Sequence, residues 1–409
     1  MEKSPKFDLP FATRENYIPL HTSDLVGYLV QHPALDDHSR SEFQRLAALI
    51  LSLLHQMYRQ RHERLTYVYS GLDPDSDRML LAVPTDALRD PLTSELLEQT
   101  QDVLLRANYH RLSPEDIAQA LKAASQWGVR IRLNFSALQQ LEVYARGCVI
   151  GQRETRNWRT WYRATSKEVP LYQRLVVVFR TDASFPSDQF DPRRVYLRMF
   201  KNVPQQDVDM MLPATGIQMT WLDHSKIVVP SLYAAAVTLW RFLRNVMLLA
   251  FFGVFKTVGM VLLVLFAVAF GLKSMFTYRS NTKRRYMLNM TQNLYYQNLD
   301  NNAGVLLRLL EEGEQQEACE SVLAYFVTAV LLAEQPTIAL DEIDRLCEEL
   351  LQQATGIQVD FDVEATARNL MHLGLLKIER HGWRALPLSA ACTRLDATWD
   401  SWFNSQPVP

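Results

Sequence analysis

The sequence predicts an α+β protein in which a central transmembrane helix or short hairpin separates an N-terminal α+β domain from a C-terminal winged-helix-like domain. Three observations carry that prediction. Val246 to Leu272 is a 27-residue run with Lys256 as its only charge. The 76 residues between Asp223 and Asp300 hold nine basic residues and no acid. Hydrophobic spacing switches from helical to alternating before the run, and after it follows the order helix, helix, short strand, helix, hairpin. The boundaries read from these shifts are an N-terminal region 1–226, a membrane segment with amphipathic lead-in 227–275 (core 246–272), a basic and Tyr/Asn-rich helical region 276–316, and a winged-helix-like region 317–409.

In the N-terminal region, Phe43, Leu46, Ala47, Ile50, Leu53, Leu54 and Met57 recur at helical spacing between Arg40 and Arg64. Gly71-Leu72-Asp73-Pro74-Asp75 is a turn signal. Pro91 to Asn108 is helical again, and Ser113-Pro114-Glu115-Asp116 opens a further helix with a capping serine and two acids at its positive end. Val129 to Leu133 alternates like a strand, Leu141 to Gly151 reads as strand or turn, and Leu171–Arg180 and Val195–Phe200 are strands. Leu212 to Pro230 reads as a turn and strand pair bent at Gly216. Between these strands, Arg153, Arg156, Arg159, Arg163, Lys167 and Arg174 interleave with Trp158, Trp161 and Tyr162, a solvated basic face that could also meet lipid headgroups.

The apolar run would span about 40 Å as one helix, against roughly 30 Å of hydrocarbon. Either a single helix over Phe252–Leu272 or a hairpin bent near Gly253–Gly259 fits. Arg241, Arg244, Lys256, Lys273, Lys283, Arg284 and Arg285 would set its depth at an anionic interface. Beyond it, Asp300 to Gly304 breaks the pattern. Val305–Gly313 and Ala318–Ala333 then read as two helices, and a third runs from Leu340 to Gly356. Asp362 caps a helix through His372, and two short strands turn at Arg380-His381-Gly382. The acids of these helices outnumber their bases, which argues against nucleic acid and for a protein partner or a second copy of the chain.

No established catalytic or metal motif occurs: there is no HExxH, no CxxC and no phosphate-loop glycine pattern. The four cysteines are widely scattered and read as small buried thiols. Asp207, Asp209 and Asp223 form a candidate polar site for a divalent ion. Asn298, Asp300, Asn301 and Asn302 are the best-motivated polar set, with short side chains suited to capping a helix and holding an abrupt turn. No cofactor is expected.

Lys201-Asn202-Val203-Pro204, then Asp207, Asp209, Met210 and Pro213, and then Tyr295-Tyr296-Gln297-Asn298-Leu299-Asp300-Asn301-Asn302-Ala303-Gly304, resemble the DUF3754 family of uncharacterised membrane proteins, transmembrane protein 143-like. The resemblance covers about Leu171 to Leu376, and Glu317 to Ala333 follows in the place it expects. It implies membrane residence with one or two spans, and supplies no activity, substrate or catalytic residue. The expectation is therefore a membrane-anchored adaptor or scaffold rather than an enzyme, in a bacterial inner membrane rather than a mitochondrial one. The alternative is a membrane-associated enzyme acting on a lipid or small substrate at the interface.

Overall fold

The computed structural model describes residues 14–77, 86–117, 130–133, 137–156, 164–183, 190–213, 215–218, 237, 273, 296–335, 337–379 and 382–402. They form two compact units. One comprises Met1–Leu112, Leu138–Gln205 and Leu299–Pro409, and the other Ser113–Ala137 and Gln206–Asn298.

The larger unit opens with α1 (Thr22–Val30), α2 (Asp37–Ser70) and α3 (Asp86–Arg106). Asp36 starts α2 by accepting from the Ser39 amide at 2.8 Å, which satisfies one of the free N–H groups at a helix head. An antiparallel sheet follows, built from β1 (His110–Arg111), β3 (Leu138–Arg156), β4 (Ala164–Thr181), β5 (Tyr196–Pro204) and β7 (Asn298–Asn301), in the order β1-β3-β4-β5-β7. The register sets Val143 against Val177 and Val178 against Leu197. Val143, Val177, Val178 and Leu197 are all buried, consistent with strands covered on both faces here.

Against this sheet and α2 lies α5 (Ala303–Phe326), which continues into a π-helical turn at Val327–Leu331. Then come α6 (Leu340–Thr355), α7 (Val363–His372), the hairpin β8 (Leu376–Glu379) and β9 (Gly382–Ala385), and α8 (Leu388–Trp402). α6 ends on Gly356 at φ 75°, a left-handed position that glycine adopts without strain. The main core joins Leu25, Phe43 and Ile50 of the first two helices to Phe326, Cys347, Leu370 and Leu395. Phe43 meets Phe326 edge to face at 5.4 Å.

The start of the described chain staples this core together. Glu15 pairs with Val359 in a parallel bridge, and its carboxylate accepts from the Cys148 amide at 2.8 Å. The amide and carbonyl of Ile18 exchange two 2.8 Å hydrogen bonds with the Gln316 side chain. The four cysteines are free; Cys319, Cys347 and Cys392 are buried and Cys148 is half-buried.

In the smaller unit, β2 (Arg130–Leu133) pairs antiparallel with β6 (Thr215–Gln218). Gln205–Asp207 is a 3-10 turn at the boundary, and α4 (Val208–Met211) follows it. Ser113 and Asp116 form a reciprocal cap, Asp116 N donating to the serine hydroxyl at 3.1 Å and Ser113 N to the carboxylate at 3.0 Å.

Several expectations are corrected. Among the described residues no helix is long and apolar enough to cross a membrane. α2 has the length, at 34 residues, but Arg45, Arg59, Arg61, Glu63 and Arg64 interrupt it. α5 is nearly continuous in its burial, yet it packs against protein and carries Glu312, Glu317 and Glu320 inward. The run Val246–Leu272, on which the span was placed, lies outside the described residues, as do Arg241, Arg244, Lys256, Lys283, Arg284 and Arg285; Lys273 is described, helical and exposed. The fold is therefore a mixed α+β arrangement with no spanning helix among the described residues. The anchored adaptor, the interfacial enzyme, the anionic-bilayer contact and the inner-membrane location rested on a spanning helix, and the described residues contain none; the protein-partner expectation rested on the acidic C-terminal helices instead.

The C-terminal elements are also no separate winged-helix domain, because α6, α7 and α8 share one core with α1 and α2. Gly216 lies within β6 opposite Arg132 rather than at a bend. Gly313 does not end a helix; α5 runs through it.

Candidate functional site

The cleft lies where the C-terminal end of α2, the loop 71–77 and the head of α5 meet. His62, Thr66, Tyr69 and Ser70 form one side and Asp73, Asp75, Ser76 and Asp77 the rim. Asn301, Asn302, Ala303, Gly304, Leu306 and Leu307 close it, and it encloses about 420 Å³. That volume is in the range of small-molecule pockets.

Hydrogen bonds to the start of β5 build the rim. Tyr69 Oη donates to the Val195 carbonyl at 3.0 Å, and Val195 N donates to Leu72 O at 3.1 Å. Arg194 donates to the carbonyls of Gly71 at 3.3 Å and Asp73 at 3.1 Å. Arg194 itself is not among the residues that line the cleft, though its charge reaches the Asp73 carboxyl. Asp73 is nearly buried and accepts from the Asp75 amide at 3.0 Å, closing an Asx turn that aims the loop. Burial pushes the Asp73 carboxyl above the ordinary carboxylate range, and the neighbouring Asp75 charge pushes it further, against the opposing hydrogen bond and Arg194. Burial also raises the Tyr69 hydroxyl, with Asp73 and Asp75 adding to it.

Asn302 closes the opposite wall. Its backbone stands at φ 51° and ψ −121°, a combination glycine adopts readily and other residues rarely. It stays there because three hydrogen bonds hold it. Its N–H donates to Leu197 O at 2.8 Å, its Oδ1 accepts from Leu197 N at 3.2 Å, and its Nδ2 donates to the Asp75 carboxylate. Asn302 occupies the N-cap position of α5, yet its side chain makes no cap bond. For Asn302 the expected side-chain capping is therefore not found, and its carboxamide instead ties the acidic loop to the sheet. Asp300 pairs with Arg308 and lies 3.2 Å from where a Cβ on Gly304 would stand.

Of the other sequence-selected residues, Asn301 and Gly304 share the cleft wall with Asn302. Asn298 and Asn301 lie at the two ends of β7, Tyr296 is 71% exposed, and Gln297 precedes the strand. Tyr295 lies outside the described residues. Asp207 is buried in the 3-10 turn, Asp209 is in α4 directly after it, and Asp223 lies outside the described residues. Among the described residues no group of three His, Cys, Asp or Glu side chains could hold a metal ion. Sequence reasoning took Asp73 and Asp75 only as a turn, and passed over Asp77. The alternation of acids at 73, 75 and 77 was the available signal.

A family model described as a protein of unknown function, DUF3754, matches residues 172–304. No solved structure matches the chain. The matched span begins in β4, includes β5 and β7, and stops at Gly304 on the cleft wall. The stretch that sets Asn302 against β5 is therefore its C-terminal end, and the chain carries a DUF3754 domain over residues 172–304.

Proposed function

We propose that the larger unit is a small-molecule-binding module whose cleft receives a small organic cation, an amine or guanidine on a short aliphatic body. The observation that carries this reading is the composition of the lining. Asp73, Asp75 and Asp77 enter it, and among the described lining residues there is no lysine or arginine. The head of α5 adds a partial positive charge of about +0.5, which opposes a cation, but two exposed carboxylates outweigh it. Ser70, Ser76 and Thr66 supply hydroxyls, while Ala303, Leu306 and Leu307 supply an apolar wall. An organic cation fits better than a metal ion, since the acids do not converge as a metal-ligating group.

The test is calorimetric titration and thermal unfolding with putrescine, agmatine and ethanolamine, using magnesium and acetate as controls. A probe at a hundredfold excess over its Kd should stabilise the wild-type chain by about 2.7 kcal/mol. The paired variant Asp75→Asn and Asp77→Asn should lose that response, because an asparagine at 75 can still accept from Asn302 but has no charge. If no amine shifts the wild-type transition, or if the variant shifts equally, the reading is wrong.

A further inference from the structure

Away from the cleft, the inner face of α5 carries three carboxylates into the core, and they are treated differently. Glu312 accepts from Tyr109 Oη at 2.7 Å and pairs with Arg146 at 3.0 Å and Arg174 at 3.4 Å. Glu317 accepts from Tyr58 Oη at 2.7 Å and pairs with Arg106 at 3.2 Å and Arg61 at 3.7 Å. Among the described residues Glu320 has no such cation. It is 6% exposed and accepts from Asn108 Nδ2 at 2.7 Å, in the turn after α3. The charges that act on it, from Glu317 on its own helix and Asp362 at the head of α7, are both negative.

Among the described residues the other elements around α5 do not supply a counter-ion. The α2 and α3 cations, Arg61 and Arg106, pair with Glu317. α1 presents Thr22, whose hydroxyl meets Cys319 Sγ at 3.4 Å. α7 pairs Glu364 with Arg368 on its exposed side at 3.8 Å. The α6 carboxylate Glu348 pairs with Arg14, and the β5 guanidinium of Arg198 sits over the Phe179 and Phe190 rings.

We propose that Glu320 is a proton-operated latch: carrying a proton it seats the joint between the turn after α3, α5 and the head of α7, and on losing that proton it loosens α7 from the core. An ionised carboxylate there would be desolvated, with one neutral donor and two like charges beside it, so opening the joint to water becomes the way to relieve it. Burial pushes the Glu320 carboxyl up to about 8, so against an ordinary glutamate in the opened joint the closed state loses its preference progressively from about 4.5 and has lost it by just above 8. For a group raised in this way, the closed joint is favoured at low pH, and the preference is lost as pH rises through the folded value.

The experiment is hydrogen exchange on the full chain, following the amides of 363–372 and correcting for intrinsic exchange. If the opened joint restores an ordinary glutamate, opening should grow roughly tenfold between about pH 7 and pH 9. Glu320→Gln, which keeps an acceptor for Asn108 and cannot ionise, should show a flat profile. An equal rise in that variant, or a wild-type rise shared by every core amide, would overturn the latch. The infrared spectrum of the wild-type chain decides the question even if the variant fails to fold. A protonated-acid C=O band that persists at neutral pH and disappears above about 8 is the expected result. Its absence at neutral pH would refute the proposal.

Discussion

Asn302 is the residue on which the candidate site turns, because one side chain and one N–H join β5, the head of α5 and the acidic loop. A glycine at 302 would relax the backbone but free the loop, so the conformation exists for the carboxamide it positions. Asp73, on the same rim, sets a pH signature for the cleft. Its folded carboxyl is raised by burial, so its own effect favours folding at low pH and fades as pH rises through that raised value. A bound cation reverses the preference, since it interacts with the ionised form. Amine affinity should therefore strengthen from acidic to neutral pH, with proton release on binding, and Asp73→Asn should remove that slope. Titration in buffers of different ionisation enthalpy measures the proton directly; affinity that is flat or falls with rising pH would exclude Asp73 from the site.

At the scale of elements, β2, β4, β5, β8, β9, α2, α3, α6 and α7 were legible because each carries its own period, whereas α1, α8 and β1 went unread, β3 was left as strand or turn, and β7 fell in a stretch read as helical. Val176, Val177 and Val178 in β4 and the capped starts at Ser113 and Asp362 could be read locally. α5 was misread because Gly313 looked like a stop, and the reason it is not one lies 255 residues away. A Cβ at Gly313 would stand 3.2 Å from Tyr58 Oη, whose position Glu317 fixes at 2.7 Å. The glycine is there to admit the phenol, at a helix-propensity cost of about 1 kcal/mol relative to alanine. Gly313→Ala should therefore destabilise the wild-type chain by about 1 kcal/mol despite its better propensity. In a Tyr58→Phe background the ring is no longer tethered, and the same change should become neutral or stabilising. A double-mutant cycle in denaturant gives the coupling; simple additivity would show that Tyr58 is not what Gly313 accommodates. The cleft itself was illegible for the same kind of reason, since the 71–77 loop and the 301–307 wall are joined only by the fold.

At the scale of the whole molecule, the larger unit is assembled from three separated stretches of chain, and this decides what its C-terminal region is. The order of α6, α7, β8 and β9 suits a winged-helix domain, which would fold alone. The packing differs from that expectation. Leu25, Leu29, Phe43, Leu46 and Ile50 belong to one buried cluster with Phe326, Ile343, Cys347, Leu370 and Leu395. A boundary at 317 cuts α5 in the middle and strips α1 and α2 from that cluster. Each large apolar side chain left exposed forfeits roughly 1.5–3 kcal/mol of burial, so the loss of even five such partners approaches the whole stability of a small domain. Residues 317–409 produced alone should therefore show a poorly dispersed NMR spectrum and no cooperative thermal transition. Adding back residues 14–70 as a separate chain should restore helicity, because α1, α2 and the Glu15–Val359 bridge return together. A dispersed spectrum and a sharp transition for 317–409 on its own would instead establish it as an independent domain merely resting on the first two helices.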